Sequence, residues 1–368
     1  MADYFQNKDY SDYFEKLNSR INSGEKPKHK HKSRQTTRNG KKKATCFIRV
    51  ALSVVLVTVI LGVIVSVSSK SFKGDSPQTV ADGISSADKE TSAKDTQTKN
   101  IIYKTDKETV EIPEEYDAKT AVVVRLSDRK IIAQRGAEER IYPASTLKIM
   151  TLLVAVENMK SLDDTFTMSY QITDPLYLAK ASVAGFKNGE EITVEDMLYG
   201  MILPSGADAA MGLAIKIAGS EENFVKLMNK RAQEMGLKGT NFTNVSGLYN
   251  ADNYSTAYDM AVITECALRN ELCRKVLSTY KYTTKKTPQN PEGITLFGTL
   301  FSYMYGDEPV TAEILGGKTG YIKEAGYCIS TFGKNDAGTE DYIVVTMGSS
   351  SMHPALYSQI DLYKEFAK

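Results

Sequence analysis

Residues 50–68 run for 19 positions without a charge, and no other stretch constrains this 368-residue chain as strongly. As a helix, VALSVVLVTVILGVIVSVS spans roughly 29 Å, the thickness of a bilayer's hydrocarbon core. A cleaved secretory signal is the rival reading, but its apolar core is normally about 7–15 residues behind a short basic region. Here a long polar segment precedes the span, and Ser66-Val67-Ser68 is only a weak small-x-small cleavage pattern. A buried core helix would be shorter and polar on one face. The basic run at 26–43 precedes the span, which puts the N-terminus in the cytoplasm and everything after 69 outside. The expected division is a basic, largely disordered cytoplasmic tail at 1–45 and a transmembrane signal anchor at 46–69. A flexible extracellular linker at 70–117 and one folded domain at 118–368 complete it.

The formal charge of +1 hides that basic run. Alone it could be a nucleic-acid arm; beside a span it sets topology and touches anionic lipid, so no nucleic-acid partner is expected. The linker is rich in Ser, Thr, Asp and Lys, and as a random coil it holds the domain off the membrane by roughly 40 Å. The cysteines carry little. Cys46 sits at the membrane edge. Cys266 and Cys273 fall on one expected helix, about 10 Å apart by rise and too far for a disulfide. Cys328 lies in an expected strand. No His or Cys cluster has metal-ligand spacing, so neither metal nor cofactor is expected.

Within the domain, 120–134 reads as a hairpin, AVVVRL and KIIAQ about a Ser127-Asp128-Arg129 turn. Pro143-Ala144 opens a helix, STLKIMTLLVAVENM, apolar on nearly every face and therefore central. Helical periodicity follows at 194–201, 207–218, 222–235 and, as one long pattern, 256–277. Strands are expected at 316–321, 326–332 and 342–348, and a closing helix at 358–366. Strands at both ends with helices between imply one sheet assembled from both ends of the domain.

Ser145 and Lys148 put a hydroxyl and an amine three residues apart at the start of that central helix. A serine nucleophile needs a base within hydrogen-bond reach. Histidine is a poor candidate: His29 and His31 lie in the tail, and His353 sits in a turn with no evident role. Lysine serves if its pKa is lowered, which burial and a second cation, Lys318, would do. Ser-x-x-Lys also occurs at Ser23/Lys26, Ser86/Lys89, Ser127/Lys130 and Ser278/Lys281. Only Ser145 opens a long apolar helix after a proline. Downstream, Lys318-Thr319-Gly320 on a strand offers a cation and a hydroxyl for a carboxylate, with glycine allowing close approach. A phosphate loop does not fit, because no G-x-x-x-x-G-K-[ST] occurs.

Five stretches carry a family resemblance: 142–150, TVEDMLYGMILPSGADAA at 193–210, GLKGTNFTNVSG at 236–247, YSTAYDMA at 254–261 and GGKTGYIKEAGYC at 316–328. With their order and spacing, the chain resembles the serine D-alanyl-D-alanine carboxypeptidases, the low-molecular-mass penicillin-binding proteins, over 118–368 and nowhere in 1–115. The resemblance implies an α/β (α+β sandwich) fold of the β-lactamase/transpeptidase type. An antiparallel sheet is flanked by helices, with a helical lobe and the active site between them. By position it implies Ser145 as acyl-enzyme nucleophile, Lys148 as base and Ser205 as proton relay to the leaving amine. It gives Lys318 and Thr319 the terminal carboxylate, with Gly320 beside them, and the N–H groups of Ser145 and Tyr321 the oxyanion hole.

The expected activity is that of a membrane-anchored serine D,D-carboxypeptidase. It would remove the terminal D-Ala from peptidoglycan pentapeptide stems through an acyl-serine intermediate, with β-lactams as covalent inhibitors. One departure stands out. The family's middle motif is usually Ser-x-Asn, and here the third position is Ala207. Asp208 is next, but on a helix it points about 100° away. Ala207 motivates a rival reading, a non-catalytic or weakly active penicillin-binding wall module. A β-lactamase of the same fold is the other rival, but 238–244 lacks the glutamate that rapid deacylation is linked to. The family's C-terminal β-rich domain and trailing anchor have no counterpart here, and the N-terminal span is expected to replace that anchor.

Overall fold

The computed structural model describes residues 101–304, 313–335, 337–339 and 341–368. The expected tail at 1–45, the anchor at 46–69 and most of the linker lie outside those residues. Among the described residues no helix is long and apolar enough to cross a membrane.

Strand β1 is Val110–Glu111, β2 Thr120–Arg125 and β3 Lys130–Arg135. A 3-10 turn, Ala144–Leu147, leads into α1, Lys148–Asn158. Then come β4 (Thr165–Thr167), α2 (Tyr170–Leu178), β5 (Glu191–Thr193), α3 (Val194–Ile202), α4 (Ala207–Ala218) and α5 (Glu221–Glu234). Next are α6 (Ala257–Leu268), α7 (Glu271–Ser278), β6 (Lys281–Thr283), β7 (Thr295–Phe297) and α8 (Thr299–Met304). The chain closes with β8 (Glu313–Ile322), β9 (Gly326–Lys334), β10 (Asp341–Ser349) and α9 (Met352–Phe366).

The main sheet has the order β1-β3-β2-β10-β9-β8, so both ends of the domain build it, as the sequence pattern implies. All neighbours are antiparallel except β1 and β3. The two-residue side-chain period of a strand sorts the core into two layers. Val122, Val124, Ile343 and Val345 face a large apolar cluster shared with α1, α3, α4 and α6. Ala121, Val123, Tyr342 and Val344 face a second cluster, capped by Leu356, Ile360 and Tyr363 of α9. A sheet covered on both faces needs apolar residues at consecutive positions, which is why β2 reads AVVV. Gln359 of α9 is fully buried, accepting from Thr331 Oγ1 (2.6 Å) and donating to Thr346 Oγ1 (2.9 Å).

Three expectations differ from the structure. The segment 101–117, taken from its polar composition as the end of a linker, packs onto the sheet. Ile101, Tyr103 and Ile112 are buried, and β1 extends the sheet beside β3. The helical pattern across 256–277 is two helices, because Asn270 Oδ1 accepts from the N–H groups of Leu272 (3.0 Å) and Cys273 (3.2 Å) and caps a new start. Cys266 and Cys273 thus lie on different helices, both as buried free thiols. The closing helix begins at Met352; Pro354 falls in its first turn, where a missing N–H costs nothing.

Candidate active site

Ser145 and Lys148 do not sit on one regular α-helix. Ser145 belongs to the 3-10 turn and Lys148 begins α1. A 3-10 turn has three residues per turn, so positions i and i+3 eclipse. The side chains meet: Lys148 Nζ lies 3.0 Å from Ser145 Oγ. Ala144 holds a left-handed φ of 49°, backbone strain immediately before the serine. Ser145 is half-buried, whereas Lys148 is 1% exposed. Burial pushes the Lys148 amine down to about 7, against the opposing pull of the Asp208 carboxylate.

The loop before α6 supplies a third group. Lys148 Nζ also donates to the carbonyl of Ser246, and Ser145 Oγ is 3.4 Å from the same oxygen. Asn244 holds that loop, its Oδ1 accepting from Gly247 N (2.7 Å) and Ser246 N (3.2 Å). An N–H given to the Ser246 carbonyl leaves the lone pair of a neutral Lys148 free to face Ser145 Oγ. That arrangement can take the serine's proton.

Among the described residues strand β8 is the outermost of the sheet, and it packs against the 3-10 turn. A Cβ on Gly320 would stand 2.6 Å from Ser145 N and 2.9 Å from Thr146 N. On the other side, a Cβ on Gly247 (φ +80°) would stand 2.0 Å from the Ala144 carbonyl oxygen. Two glycines therefore clasp the backbone of the serine turn, and neither tolerates a side chain. Lys318 is 1% exposed and donates to the Thr319 carbonyl at 2.7 Å. Its amine is held well below the ordinary lysine range, by burial first and then by electrostatic repulsion from the neighbouring Lys148 amine whenever that carries a proton. Thr319 Oγ1 shares a 2.9 Å hydrogen bond with Thr299 Oγ1. The Thr299 N–H in turn bonds the Leu203 carbonyl at 3.0 Å, tying β8 to the loop that carries Ser205. The Tyr321 side chain is 53% exposed and lies against Tyr327, with ring centroids 4.4 Å apart.

Ser205 is buried, has a left-handed φ of 66°, and its Oγ has no hydrogen-bond partner among the described residues. Ala207 is buried and its N–H bonds the Ser182 carbonyl. Asp208 does not stand in for an asparagine beside Lys148. Its Oδ1 accepts from Ala184 N (2.7 Å) and Ala209 N (2.9 Å), and its Oδ2 from Gly185 N (3.0 Å) and Phe186 N (3.3 Å). Burial raises its pKa while those N–H groups hold it down. His353 is exposed on α9. Among the described residues no group of His, Cys, Asp and Glu could hold a metal.

Ser246, Thr299 and Gly247 were assigned no role from sequence. Ser246 acts through its carbonyl, and Thr299 stands 20 residues before Thr319 with no spacing rule to mark it. Gly247 alone carried a signal, as a glycine after an Asn-x-Ser turn.

Comparison with known proteins places this geometry. A family model described as D-alanyl-D-alanine carboxypeptidase matches residues 104–351. The chain is 34% identical over 236 residues to DacF, a D-alanyl-D-alanine carboxypeptidase of Bacillus subtilis, covering 64% of this chain and 58% of that protein. To DacC of Escherichia coli it is 36% identical over 169 residues, 44% of this chain and 42% of the other. It thus spans about half the length of these relatives. The crystal structure of the Streptomyces K15 DD-transpeptidase superposes with a TM-score of 0.60 at 29% identity, covering 67% of this chain and 96% of that one. Penicillin binding protein 5 from Haemophilus influenzae gives a TM-score of 0.60 at 28% identity, covering 68% and 71%.

Proposed function

The chain belongs to the D-alanyl-D-alanine carboxypeptidase family, and from that premise we propose that it is a serine hydrolase that removes the C-terminal D-Ala of peptidoglycan stem peptides. The observation that carries this reading is the 3.0 Å approach of Lys148 Nζ to Ser145 Oγ, with the amine shifted by burial to about 7. At that value a large share of Lys148 is neutral at physiological pH and accepts a proton.

In this mechanism neutral Lys148 takes the Ser145 hydroxyl proton as Oγ attacks the carbonyl carbon of the penultimate residue. The N–H groups of Ser145 and Tyr321 hold the developing oxyanion. The C–N bond breaks, and the departing amine receives its proton from Lys148 through the unpartnered hydroxyl of Ser205. Water then attacks the acyl-Ser145 ester, giving a proton to Lys148; the bond to Oγ breaks as Lys148 passes that proton to it, which releases the shortened peptide as a carboxylic acid and restores the serine hydroxyl and the neutral amine. Lys318 and Thr319 hold the substrate's terminal carboxylate. An arriving carboxylate raises the Lys318 pKa again, so that lysine is cationic in the complex. β-Lactams acylate Ser145 by the same first step.

Residues 46–69 anchor the enzyme in the membrane with 1–45 in the cytoplasm, and a linker that ends near 100 carries the catalytic domain outside. The uncharged run at 50–68 and the basic residues before it support this placement. The test of function is release of D-Ala from an N-acetylated peptide ending in D-Ala-D-Ala, with Ser145→Ala as control. Release by the wild type alone is expected, and no release by either would overturn the reading.

A further inference from the structure

Thr319 is assigned the substrate's terminal carboxylate, and its hydroxyl has a single proton to give. A carboxylate only accepts, so that proton has to be left free for it. A second hydroxyl decides whether it is. Thr299 Oγ1, on the first residue of α8, lies 2.9 Å from Thr319 Oγ1. Either of two hydroxyls can donate to the other. If Thr319 donates to Thr299, nothing is left for the substrate. If Thr299 donates, Thr319 accepts on a lone pair and keeps its own proton free. Among the described residues the Thr299 hydroxyl has no other hydrogen-bond partner, so its proton has no rival acceptor there.

Main-chain bonding fixes where Thr299 stands. Its N–H donates to the Leu203 carbonyl at 3.0 Å, two residues before Ser205. Thr319 is buried, so bulk water is a poor substitute for that partner. We propose that Thr299 is a positioning residue: its hydroxyl donates to Thr319 and turns the Thr319 proton toward the substrate's carboxylate. The chain from the Thr299 hydroxyl through the Thr319 hydroxyl to the carboxylate polarises in one direction, each donor strengthening the next. An ester in the same place accepts a weaker bond, because it carries no charge. In this role Thr299 touches no substrate atom, yet it sharpens the preference for a free C-terminal carboxylate. The inference rests on the reading of Ser145 as an acyl-transfer nucleophile and of Lys318 and Thr319 as the carboxylate grip.

The test compares two acylating agents on the full-length protein, benzylpenicillin and its methyl ester, which differ only at the carboxylate. The wild type is expected to react faster with the acid. Thr299→Val keeps the shape and the main-chain N–H. It should lower the acid-to-ester ratio of second-order rates about fivefold, the weight of one ordinary hydrogen bond. Thr299→Ser returns the hydroxyl and should return the ratio. A role in packing alone slows both reagents alike and leaves the ratio where it was; that result overturns the proposal. So does a wild type with no preference for the acid, or a ratio that Thr299→Ser does not restore. Acylation by neither reagent overturns the proposal together with the reading of Ser145. Release of D-Ala from the peptide is followed in parallel. No release, with the ratio shifted as stated, would count against the hydrolase and for Thr299.

Discussion

Replacing Gly320 by Ala probes how tightly the serine turn and β8 must approach. The new Cβ would lie 2.6 Å from Ser145 N, whereas ordinary contact begins at 3.4 Å, so the two backbones must part by about 0.8 Å. The methyl meets backbone on that side (Ser145 N and Thr146 N), and no flexible side-chain end can yield. Separation moves Lys318 and Thr319 away from Ser145 and Lys148 without removing any of them. A misplacement near 1 Å at reacting groups costs on the order of 10²-fold in rate, or about 2.7 kcal/mol in the barrier. Overpacking of this size costs about 1–3 kcal/mol in stability, so the fold survives. The assay is the second-order rate of labelling by a fluorescent penicillin, with thermal unfolding as control. Labelling within threefold of wild type in a folded Gly320→Ala protein would refute the claim that this approach sets the geometry.

Lys148→Ala should lower acylation by roughly 10²–10⁴-fold, and Lys148→Arg should not restore it because guanidinium stays protonated; penicillin labelling by either variant at the wild-type rate would remove Lys148 as base. Asp208→Asn places an amide against backbone donors that now meet a carboxylate, and should cost about 1–3 kcal/mol of stability, read as a fall in melting temperature. It also removes the charge that raises the Lys148 pKa. The neutral amine is the active form, so the acid limb of the rate profile should move to lower pH; an unmoved limb would exclude that coupling. In intact cells, protease added outside should remove a C-terminal tag and spare an N-terminal one; the opposite pattern would reverse the proposed topology.

Much of the sheet was legible because β2 and β10 are buried on both faces and must be apolar at consecutive positions. The break at Asn270 was hidden by apolar periodicity that continues across it, although an asparagine before Glu271 is itself a cap signal. Packing of 101–117 was hidden because four buried side chains, Ile101, Tyr103, Ile112 and Tyr116, anchor an otherwise polar stretch. In the candidate site, the closeness of Lys148 to Ser145 follows from their three-residue spacing, and the 318–320 triplet is marked by its residue types. The Ser246 carbonyl could not, since a main-chain acceptor leaves no mark in sequence. Thr299 was equally silent, because its partner is set by how α8 meets β8.

The central claim is that the amine of Lys148 is largely neutral near physiological pH, and it can be observed directly. The full-length protein, with lysine Cε labelled by carbon-13 and Lys148 assigned by comparison with Lys148→Arg, is titrated by NMR. The account predicts a midpoint at about 7 for that resonance. A midpoint near the ordinary lysine value of 10.5 would mean a protonated amine at neutral pH and no base for Ser145.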